Sequence, residues 1–391
     1  MLIQQSHFFT VDTFTNLFIF LALYFAVRVT VARPPSVSGS QPFTHHGLPD
    51  SDPEIDLKPK APSYRRIANN LLSHPIFWPS IFFGVGLGMA VASKINAAPL
   101  ALTLPGAALI YLLRLSPRER DRQILPVFLF LVLAGFVSVV AFRVFQPYAF
   151  SGPGFLGIKP NPAWIDDLRS LRAQTGGDVD FPPALQWARR PLWFSLQNLV
   201  LWGLGLPLSG LSWAGFLWMG WRNFKGEWKQ HGLLWSWAAV YFIWQSLQWN
   251  STLRYQLPIY PLLAIFGAWL LFHLWDKAKL TARKPGVRNR VTPFVYRVLI
   301  LTLGAGVLIA TAAWAFSFSR IYTRPHTRVE ATRWLFQNMP ATVNLSIQTE
   351  DGLYNQPLSF PQDFNISAGS PYTLQFTAQA EGQLRAIQFP Y

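Results

Sequence analysis

The first group able to do chemistry is Asp12, in Ser6-His-Phe-Phe-Thr-Val-Asp-Thr-Phe14, where a long apolar run begins and His7 stands five residues earlier. An ionisable group at a membrane boundary is costly to keep there and is a functional candidate by default. Such a carboxylate takes a proton or holds a metal, although Asp followed by Thr also suits a helix cap. Lys94, in Ala92-Ser-Lys-Ile-Asn96, closes another apolar run. A phosphate partner accounts for an ammonium at that place, and so does a stem lying along apolar surface with its head in water. Arg254-Tyr255 falls in Asn250-Ser-Thr-Leu-Arg-Tyr-Gln-Leu-Pro-Ile-Tyr-Pro261. A guanidinium fork offers an oxyanion two parallel donors and the phenol adds a third, against the alternative of anchoring a helix end at the interface. Arg189-Arg190, before a further apolar run, suits lipid phosphates or the phosphate of a bound donor.

The elements that carry these residues are those of a membrane protein. The chain has 391 residues, 51% hydrophobic, 16% aromatic and 13% charged, against a charged share of roughly 25% in soluble domains. With 17 Trp and 32 Phe there are too few charges to cover a water-facing surface, which excludes a soluble enzyme. Eight apolar runs of membrane-crossing length are expected, at about 13–32, 76–93, 97–113, 124–142, 199–221, 232–249, 257–275 and 295–317, giving an all-α polytopic membrane protein. Pro207 is expected to split the fifth. No run has the form of a cleaved signal peptide, and the chain opens as if in the middle of a longer protein.

Charge orients the spans. Loops 28–75, 114–123, 222–231 and 276–297 hold 20 of the 33 Lys and Arg, so these loops are expected in the cytoplasm, with Met1, loop 143–198 and the C-terminal tail outside. The net charge of +15 is thereby used for topology, and nucleic acid is not an expected partner. The absence of Cys excludes disulfides and thiolate chemistry.

Four segments follow: 1–33 with the first span, a Pro/Ser/Gly-rich insertion at 34–75 whose 34–62 part reads as disordered, a core at 76–319, and an α+β segment at 320–391. The last is expected to hold one short amphipathic helix and three or four strands, Val343–Ile347 and Tyr372–Thr377 among them. It ends as if cut. In loop 143–198, apolar residues at 164, 165, 168 and 171 have the spacing of a helix lying along the interface. Asp166 and Asp167 sit near its start, where the helix dipole favours them. Asp178 and Asp180 are weak metal candidates that lack a calcium-loop pattern. Gly84-Val-Gly-Leu-Gly88 reads as close helix packing rather than a nucleotide loop, and His45-His46 has no third ligand nearby.

Three stretches together, Gln5–Tyr24, Gly84–Asn96 and Leu253–Ala264, resemble the GT-C superfamily of integral-membrane glycosyltransferases. More narrowly, they are similar to the bacterial branch related to protein O-mannosyltransferases and aminoarabinose transferases. The resemblance covers about 1–340 without the insertion. It implies an inner-membrane enzyme that moves a sugar from a polyprenyl-phosphate carrier to a lipid, glycan or protein acceptor on the outer face. Asp12 would line the site, Arg254 and Tyr255 match the family's R-Y before an L-P-x-x-P turn, and Lys94, Arg189 and Arg190 would join them in binding the carrier phosphate. A divalent metal is the only cofactor the resemblance leaves open. Members carry their main catalytic carboxylate in a first outer loop after a helix that this chain lacks, which implies that the chain holds the carrier-side half. A transporter or lipid flippase is the second class; it calls for repeated halves and charges deep in the spans, and the sequence has neither.

Overall fold

The computed structural model describes residues 10–34, 69, 71–152, 154, 157–179, 182–282, 291–324, 326–338, 341–360, 368–369, 371 and 373–389. The disorder expected over 34–62, together with His7, His45-His46 and Asp180, lies outside the described residues. The chain divides into two compact units, 1–314 and 315–391.

The first unit is helical. Its long helices are α1 (Val11–Thr30), α2 (Phe77–Ser93), α3 (Thr103–Arg114) and α4 (Pro117–Phe145), followed by α5 (Pro162–Gly176) and α6 (Phe194–Asn198). Then come α7 (Leu206–Arg222), α8 (Trp228–Ser246), α9 (Tyr260–Ala282) and α10 (Val291–Ser319), which runs across the boundary of the unit. Among the described residues five helical stretches are long and apolar enough to cross a membrane: Val11–Thr30, Ile95–Arg114, Pro117–Phe145, Leu253–Leu280 and one beginning at Phe294. This is a multi-pass membrane protein. The other three expected runs are helical but shorter or less apolar, so the count of eight belongs with the proposal below.

Small residues set the packing around α2. A Cβ on Gly84 would stand 2.5 Å from the Ala134 carbonyl oxygen, and one on Gly88 2.5 Å from that of Ser138, so α2 lies directly on the α4 backbone. Gly86 faces the other way, its place for a Cβ 3.3 Å from Ala22 of α1. Close backbone approach through small residues is how helices associate where lipid removes the hydrophobic driving force. Ile19, Ala22, Ala26, Ala90, Leu100, Ala107 and Phe266 are fully buried in the resulting core.

The break at Pro207 is real. A π-helical turn, Leu199–Leu204, ends at Gly205, and α7 starts at Leu206 with Pro207 in its first turn. Across the break the Ser209 hydroxyl donates to the Val200 carbonyl at 3.1 Å, tying the start of α7 to the preceding turn. At other helix ends, basic side chains serve as caps. Arg114 donates to the Thr30 carbonyl at 2.7 Å and Lys229 to the Leu113 carbonyl at 2.8 Å. Part of the basic surplus therefore closes helix C-termini.

In the second unit, α11 (Thr327–Asn338) precedes a three-stranded antiparallel sheet. Its strands are β3 (Ala341–Thr349), β4 (Gly352–Phe360) and β5 (Gln383–Gln388) in the order β4-β3-β5, after the two-residue strands β1 (Phe150–Ser151) and β2 (Lys159–Pro160) of the first unit. Val343, Leu345 and Ile347 alternate onto one buried face. The strand expected over Tyr372–Thr377 is not formed: 373–377 have no ladder partner. The buried Gln356 side chain holds that segment instead, donating to the Thr377 carbonyl at 2.7 Å and accepting from the Gln379 N–H at 3.0 Å. Alternation in sequence marks an extended chain, and here a side-chain amide satisfies it in place of a strand.

Candidate functional site

Four sequence candidates lie at helix starts or interruptions. Asp12 is in the first turn of α1, whose N-cap is Thr10, so the capping role read from the sequence does not hold. Lys94 has an extended backbone (φ −158°, ψ 118°) between α2 and a 3-10 helix, Ile95–Leu102, that contains Pro99. Arg254 and Tyr255 lie in a second 3-10 segment, Leu253–Ile259, with Pro258 inside it, which runs into α9. Each Pro removes a donor and favours tighter turns, so these side chains are set at helix mouths.

The four side chains converge. Asp12, Lys94, Arg254 and Tyr255 line one small pocket with Thr15, Asn96 and Tyr241. Lys94 Nζ donates to Asp12 Oδ1 and stands 4.1 Å from the centre of the Tyr255 ring. The Arg254 guanidinium lies over the same ring, 5.3 Å from its centre. Asp12 is 6% exposed and Lys94 21%. Burial lowers the Lys94 pKa, the hydrogen bond and charge of Asp12 oppose that, and the Arg254 charge adds to it. The pocket is about 10 Å³, the space of one water. Chemically it holds one carboxylate and two cations, a place where an arriving anion would compete with Asp12 for Lys94.

Two larger spaces adjoin it. One, of about 370 Å³, runs between Pro99–Gly106 and the Leu233–Trp244 face of α8; its lining is mostly apolar, and it shares Tyr241 with the small pocket. The other, of about 710 Å³, lies between α5 and the end of α8 and shares Asn96 and Tyr255 with it. The helix read from apolar positions 164, 165, 168 and 171 is α5, capped by Asn161, whose side chain accepts from the Ala163 N–H at 3.1 Å. Leu168, Leu171 and Asp178 line the larger space. Asp166 pairs with Arg169, and Asp167 accepts from the Tyr148 hydroxyl at 3.2 Å, its charge raising the phenol's pKa.

Arg189 and Arg190 are not brought into the cluster. They are exposed in the turn before α6, where Arg189 has φ 61° and Arg190 donates to the Gln186 carbonyl at 2.9 Å and lies 5.0 Å from the centre of the Phe194 ring. Among the described residues no three His, Cys, Asp or Glu side chains group as metal ligands would. The pocket itself offers a single carboxylate already held by an ammonium, a poor donor set for a divalent cation.

Tyr241, Thr15 and Asn96 were not singled out from sequence. Tyr241, Trp244 and Gln245 fall at i, i+3 and i+4 on one face of α8, with Gln248 in the turn just past its end, and all four line one or more of the three spaces. That stripe was the available signal. Comparison with family models, with curated protein sequences and with solved structures finds no match to this chain.

Proposed function

We propose that the chain is a polyprenyl-phosphate-dependent glycosyltransferase of the GT-C type, spanning a bacterial inner membrane eight times with the Asp12 pocket at the outer face. The observation that carries this reading is the meeting of Asp12, Lys94, Arg254 and Tyr255 from three separate parts of the chain at one point, between an apolar groove and an open polar cavity. The groove suits an isoprenoid tail, the two cations suit its phosphate, and the open cavity gives an acceptor access from water.

In the proposed reaction the carrier phosphate enters beside Lys94 and Arg254, and Lys94 turns from Asp12 to the phosphate oxygens. The released carboxylate is then free to accept a proton. An acceptor oxygen attacks the anomeric carbon from the face opposite the phosphate, forming the new C–O bond. The old C–O bond breaks, its electron pair stays on the phosphate, and the acceptor proton passes to Asp12. The cations contribute most where charge develops, on the leaving phosphate. No step is routed through a metal.

Binding of a short-chain polyprenyl phosphate to the protein in nanodiscs tests the donor half. Arg254→Lys keeps the charge but loses the fork, and is expected to weaken binding by about 1–3 kcal/mol. Equal binding by the Lys variant would leave Arg254 as an interfacial anchor.

A further inference from the structure

The 710 Å³ cavity has a wall chemistry that the phosphate cluster does not use. At its end of α8 stand Trp244 and Trp249, with Gln245 and Asn250 between and beside them. Gln245 is 2% exposed, its amide set beside the Tyr241 hydroxyl, and the Asn250 Oδ1, also shielded from water, has no hydrogen-bond partner. A buried polar group without a partner costs roughly 1–3 kcal/mol, a cost that is relieved when a ligand supplies the missing bond. Indole rings beside side-chain amides match a sugar ring, which has apolar C–H faces and a rim of hydroxyls that both donate and accept. The volume lies in the range of small-ligand sites.

The opposite wall is held in place. Helix α5 ends at Gly177, in the left-handed region at φ 82°, and a Cβ there would stand 2.8 Å from the Trp249 ring. Only Gly allows the helix end to sit on that indole, so Leu168 and Leu171 are carried to the cavity by a fixed contact rather than by a loose loop.

We infer that this cavity is a glycosyl-binding site in which Trp244, Gln245, Trp249 and Asn250 read the sugar ring and α5 closes over it. The inference rests on the transferase reading for its ligand class. The ring belongs either to the carrier-linked donor or to a glycan acceptor.

The test is saturation-transfer NMR on the protein in phosphatidylcholine nanodiscs free of glycoside detergents. The probes are free hexoses, pentoses, aminopentoses and their methyl glycosides. At least one should show transfer, which Leu171→Trp should remove by filling the cavity from an exposed helix position, and Gln245→Ala should weaken at least tenfold. Asp12→Asn should leave it intact. Competition by the polyprenyl-phosphate form of the sugar that gives the signal assigns the site to the donor; persistence assigns it to the acceptor. No signal from any probe, or a signal indifferent to both cavity variants at unchanged unfolding temperature, overturns the inference. Sugar transfer that Leu171→Trp leaves at wild-type rate also overturns it while leaving the transferase reading standing. Sugar binding by a protein with no transfer activity removes the transferase reading and keeps the site.

Discussion

Replacing Lys94 with Met keeps the apolar stem and removes only the charge. Asp12, 6% exposed, would then be left in the core without its partner, and Lys94 itself is only 21% exposed. Neither group is open enough for solvent to screen most of the interaction. Removing one member of a buried pair costs about 3–5 kcal/mol. The partial exposure of Lys94 reduces the expected loss to about 2–3 kcal/mol. Within that sum, the ammonium over the Tyr255 ring accounts for about 0.5–1 kcal/mol. The double variant Asp12→Asn/Lys94→Met leaves no orphaned charge and should recover much of the loss, with a coupling energy of about 1–3 kcal/mol. Denaturant unfolding of matched preparations in detergent measures all four corners of the cycle. A Lys94→Met protein within about 0.5 kcal/mol of wild type, or a strictly additive double variant, would refute a buried pair fastening α1 to the end of α2.

Two further outcomes follow from packing and charge. Gly88→Ala, whose new Cβ would meet the Ser138 carbonyl and Ala141 at 2.5 and 2.6 Å, should destabilise by about 1–3 kcal/mol, whereas Gly135→Ala, with nothing within 4 Å, should be neutral or slightly stabilising; thermal unfolding in detergent compares them. A periplasm-active phosphatase fused after Phe318 should be active, and one fused within 34–62 inactive; the reverse pattern would invert the proposed orientation.

What the sequence revealed depended on rarity. In a chain with 13% charged residues, a Lys or Asp at the end of an apolar run stands out, and Asp12, Lys94 and Arg254 were visible for that reason. Their convergence was not, because nothing local in α1, α2 or the Leu253–Ile259 turn specifies which helix mouths meet. Tyr241 was hidden by the opposite circumstance: among 12 Tyr and 17 Trp, one more aromatic residue on a helix looks like packing. The Gly84–Gly88 stripe was read correctly as close packing, since three small residues at alternate positions leave little other physical use inside an apolar run. Asp12 was open to a capping reading because one residue decides it. With the helix starting at Val11, the cap falls on Thr10 and Asp12 turns inward to Lys94. The β-segment was legible in β3, where a buried face enforces alternation, and misread at 373–377, where the buried Gln356 amide takes the bonds that a neighbouring strand would have made.

The central claim is that Asp12 takes the acceptor proton during sugar transfer beside a cation-held phosphate. The direct measurement is transfer of labelled sugar from a panel of polyprenyl-phosphate donors to membrane acceptors, by wild type and Asp12→Asn in equally folded preparations. The proposal expects transfer by wild type and a loss on the order of 10²-fold or more in the Asn variant, with polyprenyl-phosphate binding retained. Transfer at the wild-type rate by Asp12→Asn, or no transfer by wild type from any donor in the panel, would contradict it.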